Sequence, residues 1–74
     1  MRWNIEKDPL DYGFYEAEDK SYIWYDDTGS CLIYIDKHDK VGVQLLDVHL
    51  IVNVSHETLI KLYNLIKEGV ITNE

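Results

Sequence analysis

Four stretches of the chain are rich in β-branched and aromatic residues, and polar turn sequences separate them. The turn sequences are EDKS (18–21), DDTGS (26–30) and DKHDK (36–40). Aspartate, serine and glycine favour turns, whereas β-branched and aromatic residues favour strands. The pattern predicts strands over residues 12–18, 21–26, 30–36 and 41–54.

The last predicted strand contains a break in its alternation. Apolar residues occupy every second position from Val41 to Leu45, and again from Leu46 to Val54. One extra residue reverses the side-chain alternation, so the break predicts a bend near residue 46. We expect one bent strand because LLDV is a poor hairpin turn.

The C-terminal part of the chain has helical spacing. Ser55 suits the N-cap, and Glu57 is favourable in the first turn. Apolar residues then recur three or four positions apart, at Leu59, Leu62, Tyr63 and Ile66. Gly69 suits the position that follows a helix C-cap. This pattern predicts a helix over residues 56–68.

Strands joined by short turns and followed by one helix predict an α+β fold. We expect a small antiparallel β-meander of four to five strands with one C-terminal helix packed on one face. The whole chain, residues 1–74, would form a single domain. A short additional edge strand would pass through Trp3 and Ile5 and end at Asp8 and Pro9.

The turns also predict which side chains face the helix. Hairpins closed at these turns pair Trp24 with Tyr15 and Leu32, and Tyr34 with Tyr22 and Val43. This register places on the helix side Tyr15, Ala17, Tyr22, Trp24, Leu32, Tyr34, Val41, Val43 and Leu45. The opposite side would carry Phe14, Glu16, Glu18, Ile23, Tyr25, Cys31, Ile33, Ile35 and Gln44. A slip of one residue would exchange the two sides.

The predicted opposite side has an apolar centre and a charged rim, an arrangement typical of interaction surfaces. Three occupants are consistent with this arrangement. The N-terminal segment could fold over it through Trp3, Ile5 and Leu10. Another protein could bind it, or a second copy of the chain could pair with it.

The negative charge is concentrated in the N-terminal part of the chain. The net charge is −7, and residues 1–30 contribute −5 of it through eight acidic and three basic residues. Binding to nucleic acid or to an anionic membrane needs a basic surface, so the composition argues against both. It favours attraction to a basic protein surface. Solubility alone is the alternative explanation of the charge.

Cysteine usage and hydropathy predict a cytoplasmic protein. Cys31 is the only cysteine, so the chain cannot form an internal disulfide, which fits a reducing compartment. The N-terminal sequence has no apolar run typical of a signal peptide. No segment reaches the roughly 18 apolar residues of a membrane helix.

Catalytic and metal-binding chemistry has little support in the sequence. Asp36, His38 and Asp39 combine carboxylates and an imidazole, but neighbouring loop residues rarely converge on one ion. Cys31 lies in an apolar strand without a neighbouring base, as expected of a core residue. We therefore expect no enzyme, catalytic residue, metal or cofactor. A small metal-dependent enzyme is the least favoured alternative.

The segment from Asp11 to Asp27 is the most unusual part of the sequence, because it holds six of the nine aromatic residues and six of the fourteen acidic ones. The acids would steer association with a basic partner, and the apolar side chains would anchor it. The predicted binding residues are Asp11, Tyr12, Phe14, Glu16, Glu18, Asp19, Ile23, Tyr25, Asp26 and Asp27.

These features predict a small, non-enzymatic protein-binding module. Its partner would be a protein with a basic surface, such as a nucleic-acid-binding protein whose phosphate site the carboxylates would occupy. Small acidic inhibitors made by phages and mobile elements, including some anti-CRISPR and restriction-inhibiting proteins, resemble it at this general level. No motif connects the chain to one such family. The alternative is a homodimer formed through the open sheet face.

Overall fold

The computed structural model describes residues 1–46 and 54–73, and its main element is a four-stranded antiparallel sheet. Its strands are Tyr15–Glu16 (β2), Tyr22–Tyr25 (β3), Cys31–Ile35 (β4) and Val41–Leu45 (β5). They are hydrogen-bonded in chain order, β2-β3-β4-β5, as a meander. One α-helix, α1, spans His56–Lys67 and packs on this sheet. The predicted α+β fold, a meander with one C-terminal helix on one face, is confirmed.

A second, two-stranded sheet joins the two ends of the described chain. It consists of Arg2–Trp3 (β1) and Ile71–Thr72 (β6), which run antiparallel. The sequence predicts a short strand through Trp3, but it places that strand at the edge of the meander. It predicts no strand after the helix. An isolated bridge between Arg2 and Lys40 connects β1 to the meander.

The outer two hairpins of the meander close through three-residue loops. In the first, the amide of Ala17 donates to the carbonyl of Ser21 at 2.8 Å; in the last, the amide of Asp36 donates to the carbonyl of Lys40 at 2.9 Å. The final loop residues, Lys20 and Asp39, have positive φ angles of 73° and 64°. This is the loop in which a type I turn is followed by a left-handed residue, here without glycine.

The central hairpin has a longer loop because Asp26 organises it. The Asp26 amide donates to the carbonyl of Cys31 at 3.1 Å, which leaves residues 27–30 in the loop. The Asp26 carboxylate accepts from the amides of Ser30 at 2.8 Å and Cys31 at 3.3 Å. Gly29 has a positive φ of 72°, as the DDTGS sequence indicates. The carboxylate therefore fixes Ser30 as an additional loop residue.

The predicted register is wrong by one residue in all three hairpins. Ile23 pairs with Tyr15 and Tyr34, and Ile33 pairs with Trp24 and Val43. Because side chains alternate, this shift exchanges the faces of β2 and β4 while β3 and β5 keep theirs. We call the side that receives the helix the covered face: Phe14, Glu16, Tyr22, Trp24, Cys31, Ile33, Ile35, Val41, Val43 and Leu45. The other side is the tyrosine face: Tyr15, Ile23, Tyr25, Leu32, Tyr34, Gly42 and Gln44.

The N-terminal segment forms a 3-10 helix immediately before the meander, and this helix includes Tyr12, the first residue of the strand predicted over 12–18. This helix spans Pro9–Tyr12 and ends at Gly13, whose φ is 86°. Asp8 caps it, because its carboxylate accepts the amide of Leu10 at 3.0 Å. Proline fixes a helical φ at the first turn and has no amide hydrogen to satisfy. The first meander strand is consequently reduced to Tyr15–Glu16.

Capping hydrogen bonds define both ends of α1. Ser55 accepts the amide of Thr58 at 3.2 Å. At the other end, the amide of Gly69 donates to Ile66 at 3.1 Å and that of Val70 donates to Leu65 at 2.9 Å. These two bonds form a Schellman motif, which the sequence indicates through Gly69. The turn sends the buried side chain of Val70 back into the core.

The core lies between the covered face, α1 and the two-stranded sheet. Its buried members are Trp3, Phe14, Ile33, Ile35, Val41, Leu65, Val70 and Ile71. Trp3 meets Phe14 edge-to-face, with ring centroids 5.3 Å apart. Trp3 covers Phe14, Ile33 and Ile35 of the predicted opposite side, but these residues lie on the helix side in the structure. Ile5 and Leu10 are 79% and 55% exposed, so they do not cover the sheet, and the opposite face receives no cover from them.

The predicted bend of the last strand is only partly within the described residues. β5 ends at Leu45, and Leu46 is a bend whose amide donates to the carbonyl of Ser30 at 2.8 Å. The predicted continuation of the strand over residues 47–53 lies outside the described residues.

Candidate protein-binding surface

Three tyrosines give the tyrosine face its character. Tyr15, Tyr25 and Tyr34 are 48%, 43% and 37% exposed. They surround Ile23, which is half-buried, and Leu32, which is buried. Tyrosine combines a large apolar ring with a polar hydroxyl and is enriched at protein interfaces for this reason. The face thus presents aromatic surface to solvent over an apolar base.

Tyr15 and Tyr25 act as a pair. Their rings are stacked, with centroids 6.1 Å apart and an interplanar angle of 23°. A hydrogen bond between the two side chains raises the pKa of Tyr15, and burial adds to the effect. The Tyr15 hydroxyl therefore remains protonated at neutral pH. The pair forms a stacked aromatic platform across β2 and β3.

Tyr34 occupies space that Gly42 leaves open. The two residues are cross-strand partners in β4 and β5. A β-carbon at Gly42 would overlap the Tyr34 hydroxyl and would lie 2.7 Å from a ring carbon. Glycine at this position therefore lets the Tyr34 ring lie across the neighbouring strand. The glycine is needed for this close approach rather than for an unusual backbone angle.

Asp26 belongs to the folded framework and not to the exposed surface. It is 5% exposed and receives hydrogen bonds from the Ser30 and Cys31 amides and from the Thr28 hydroxyl. Burial opposes its ionisation, but these bonds and one from Ser55 outweigh burial and lower the pKa of Asp26. The structure thus places this predicted binding residue where it holds a turn.

Exposed Asp27 and half-buried Glu57 form an acidic corner at the Tyr25 end of β3. The amide of Asp27 donates to a Glu57 carboxylate oxygen at 2.6 Å. This bond attaches the β3–β4 turn to the first turn of α1. It also brings a helix carboxylate beside the turn acids. Glu57 is a member of the surface that the sequence indicates only as a helix-start residue.

Glu18 and Asp19 form a second acidic corner, at the β2–β3 turn. Both are exposed. The Asp19 carboxylate accepts from the hydroxyl of Ser21 at 2.5 Å and from its amide at 3.1 Å. These bonds lower the pKa of Asp19, so it stays ionised well below neutral pH. The two acidic corners lie at opposite ends of β3, on either side of the tyrosines.

Four other predicted binding residues lie away from the tyrosine face. Phe14 is buried in the core, and Tyr12 is partly buried beside Trp3. Glu16 pairs with Tyr22 on the covered side, at the exposed edge strand. Asp11 lies on the exposed 3-10 helix. The prediction that Phe14 belongs to an open face is wrong because β2 is shifted by one residue.

Lys61 of α1 contacts both Tyr12 and Phe14 and so holds them against the helix side of the sheet. Its ammonium group donates to the Tyr12 carbonyl at 2.5 Å. It also lies 5.9 Å from the Phe14 ring centroid and 5.6 Å from that of Trp24. Burial lowers the pKa of Lys61, and Glu68 opposes this effect. A helix cation thus fastens the N-terminal segment to the covered face.

Sequence reasoning missed Tyr15, Leu32, Tyr34 and Gly42 as members of the tyrosine face. It assigned the first three to the helix side. A usable signal is present in residue type, since Tyr34 stands between Ile33 and Ile35 in CLIYI. Isoleucine favours full burial, whereas tyrosine favours a partly wet position.

α1 carries a second exposed apolar surface, which we call the helix stripe. Its members are Leu59, Ile60, Tyr63 and Ile66. Tyr63 is 63% exposed, and the ammonium group of Lys67 lies 6.0 Å from its ring centroid. The helical spacing places all four on the side that packs on the sheet, together with Leu62 and Leu65. In the structure Leu65 is buried and Leu62 packs against the core, as predicted, but Thr58 takes the remaining buried position and the four stripe residues are exposed.

Two open clefts adjoin the β4–β5 turn. The larger, about 560 Å3, is lined by Met1, Arg2, Tyr34, Asp36, Lys40 and Val41. The smaller, about 290 Å3, is lined by Asp19, Ser21, Asp36, Lys37 and His38. The Asp36 carboxylate accepts from the amides of Lys40 and His38, and these bonds lower the pKa of Asp36. Its carboxylate is thereby directed into its own turn.

Within residues 1–46 and 54–73, no group of three or more histidine, cysteine, aspartate or glutamate residues could hold a metal ion. Asp36, His38 and Asp39 thus do not assemble into a site there. Cys31 is buried, and its sulfur accepts the Ser55 amide at 3.4 Å.

Comparison with protein-family profiles, curated proteins and solved structures gives no match to this chain. Within the described residues, no helix combines the length and the apolar character needed to cross a membrane. Functional inference therefore depends on the surface chemistry.

Proposed function

We propose that this chain is a non-enzymatic protein-binding module that docks on a basic surface of another protein through its tyrosine face. The observation that carries the proposal is the combination of three exposed tyrosines with an acidic corner at each end of β3. Aromatic anchors supply affinity when they are buried in a complex, and surrounding charges supply steering and register.

The charge distribution supports a basic partner. Glu18 and Asp19 lie at one end of β3, and Asp27 and Glu57 lie at the other. With a net charge of −7, the chain would repel nucleic acid and would attract cationic protein surfaces. Carboxylates spaced in this way can take the place of phosphates on a nucleic-acid-binding protein. The proposed role is inhibition of such a protein, in the cytoplasm of a cell infected by a phage or carrying a mobile element.

The test is competition between this chain and duplex DNA for purified nucleic-acid-binding proteins. The wild-type chain and a Tyr15→Ser, Tyr25→Ser, Tyr34→Ser variant would be immobilised and exposed to purified nucleic-acid-binding proteins of varied charge. We expect the wild type to retain basic proteins, to release them at high salt, and to release them when duplex DNA is added. Equal retention by the variant, or retention that DNA does not reduce, would contradict the proposal.

A second candidate function is self-association, which the helix stripe favours. Leu59, Ile60, Tyr63 and Ile66 form one contiguous exposed apolar surface, as in helices that pair with a copy of themselves. Light scattering across a concentration series would distinguish the candidates. A strict monomer at high micromolar concentration would exclude self-association and leave the docking proposal untouched.

A further inference from the structure

The geometry of the tyrosine face points to arginine, rather than lysine, as the cation that it recognises. We propose that its partner presents an arginine-rich segment, whose guanidinium groups stack on Tyr15, Tyr25 and Tyr34. This inference rests on the proposed function, since it specifies the chemistry of the basic surface that docks there.

The shape of the platform carries the first step. The Tyr15 and Tyr25 rings are stacked within 23° of parallel on adjacent strands, and each residue is more than 40% exposed, so a planar group can extend the stack on the exposed part of a ring. A guanidinium group is planar and weakly hydrated, and it stacks on aromatic faces. An ammonium group is a compact, strongly hydrated charge. A flat platform therefore discriminates in favour of arginine.

The molecule's own cations carry the second step. Lys61 lies over Phe14 and Trp24, and Lys67 lies over Tyr63. Within residues 1–46 and 54–73, no such cation lies over the tyrosine face. Its rings are thus free to receive a cation from another molecule, whereas the aromatic residue of the helix stripe already has one.

The carboxylates carry the third step. Asp27 and Glu57 stand at the Tyr25 end, and Glu18 and Asp19 stand at the opposite end of β3. Arginine can bond a carboxylate through two parallel N–H groups while its plane rests on a ring, which lysine cannot do. A peptide with several arginines could therefore engage rings and carboxylates at once.

Two probes of equal charge and length would test the inference: octa-arginine and octa-lysine, titrated into the full chain and followed by NMR shifts of the tyrosine rings. We expect wild type to bind octa-arginine several-fold more tightly, roughly fivefold if the rings contribute about 1 kcal/mol in total. A Tyr15→Leu, Tyr25→Leu variant should bind both peptides equally. Tyr15→Phe, Tyr25→Phe, which keeps the rings, should retain most of the preference.

Tyr63→Leu is the matched control, because it removes an exposed tyrosine from a different surface that Lys67 already covers. It should leave the arginine preference unchanged. Loss of the preference in this variant would place the site on α1 and overturn the inference. Equal binding of both peptides by wild type would also overturn it but leave docking on a basic surface intact. Binding of neither peptide at low salt would contradict the proposed function itself.

Discussion

The two faces of the sheet are built from the same strands but use different kinds of apolar residue. The covered face presents Ile33 and Ile35, which are fully buried beneath α1 and Trp3. The tyrosine face presents Tyr34 from the same strand, β4, and Tyr25 from the neighbouring strand β3, and leaves each more than one-third exposed. A division into apolar and polar residues counts both kinds as apolar. The tyrosine hydroxyl distinguishes them, because it needs water or a hydrogen-bond partner.

This difference separates stability from recognition. Aliphatic side chains on one face stabilise the fold through complete burial, whereas rings on the other face retain surface that a partner can bury. Substitutions at neighbouring positions of one strand should therefore have opposite consequences. Five substitutions or conditions examine this expectation, from the largest effect on stability to the smallest.

Ile33→Ala should have the largest effect. Ile33 is fully buried in the core, so the substitution removes apolar contacts and leaves a cavity, at a cost of about 2–5 kcal/mol in unfolding free energy. Tyr34→Ala, at the next position, should cost clearly less because Tyr34 is exposed. Urea denaturation of both variants measures the difference. Equal losses would show that the tyrosine face is as important to folding as the core.

Asp26→Ala should rank second. The substitution leaves the buried amide of Cys31 and the amide of Ser30 without their acceptor, at a cost of about 1–3 kcal/mol. Asp27→Ala is the matched control in the same turn. Its carboxylate is exposed and only its backbone bonds to Glu57, so its loss should be within about 0.5 kcal/mol. Thermal unfolding of both variants would test the contrast.

Acid should destabilise the protein because it protonates the Asp26 carboxylate. The pKa of Asp26 is lowered in the folded state from the ordinary value of 3.8, so the unfolded chain binds more protons in that range. The contribution of Asp26 to the free energy of unfolding is therefore fully present above about pH 4, and it is lost as the pH falls through the pKa of the folded state. Asp26→Asn should be less stable at neutral pH and show a flatter dependence below pH 4. A dependence as steep as that of wild type would assign the acid transition to Asp19 and Asp36, whose pKa values are also lowered.

The Tyr15–Tyr25 pair should contribute a smaller coupling. A double-mutant cycle with Tyr15→Leu and Tyr25→Leu should give an interaction energy of about 0.5–1.5 kcal/mol, the usual range for aromatic pairs. Tyr15 and Tyr63 form no contact pair and serve as the control cycle, which should be additive. A coupling near zero for Tyr15 and Tyr25 would mean that the stacked platform does not persist in solution.

Gly42→Ala should have the smallest effect on stability. The new β-carbon would displace the Tyr34 ring, but that ring is exposed and can rotate away. The loss of ring packing is offset by the lower entropy of alanine in a strand, so the net change should be within about 1 kcal/mol. The ring protons of Tyr34 should nevertheless shift in NMR spectra. Unchanged ring shifts would contradict the close approach of Tyr34 and Gly42.

Much of the fold could be predicted from the sequence because its signals are local. Turn residues around Gly29 and Asp36, the Ser55 cap and the Gly69 stop each act within a few positions. They locate the hairpins and the helix without knowledge of the rest of the chain. The pairing of β1 with β6 could not be predicted in this way, because its partners lie at opposite ends of the sequence.

The candidate surface could be predicted only in part, because it depends on register. The three-residue loops end in Lys20 and Asp39, left-handed positions that usually mark glycine or asparagine. The central loop gains Ser30 through the Asp26 carboxylate. Each of these details moves one strand by one residue, and such a shift exchanges its faces. The prediction that Ile23 and Tyr25 face away from the helix is correct, because the shift leaves the two faces of β3 unchanged.

The pairing of β1 with β6 has a consequence for the order of folding. The hydroxyl of Thr72 donates to the carbonyl of Arg2 at 3.4 Å across 70 positions of sequence, and the amide of Asn4 donates to the carbonyl of Val70 at 2.8 Å. Contacts this distant close the longest loop in the chain and are formed after local hairpins. We therefore expect the amides of β1 and β6 to exchange with deuterium earlier than those of β4, and their formation to limit the final folding step.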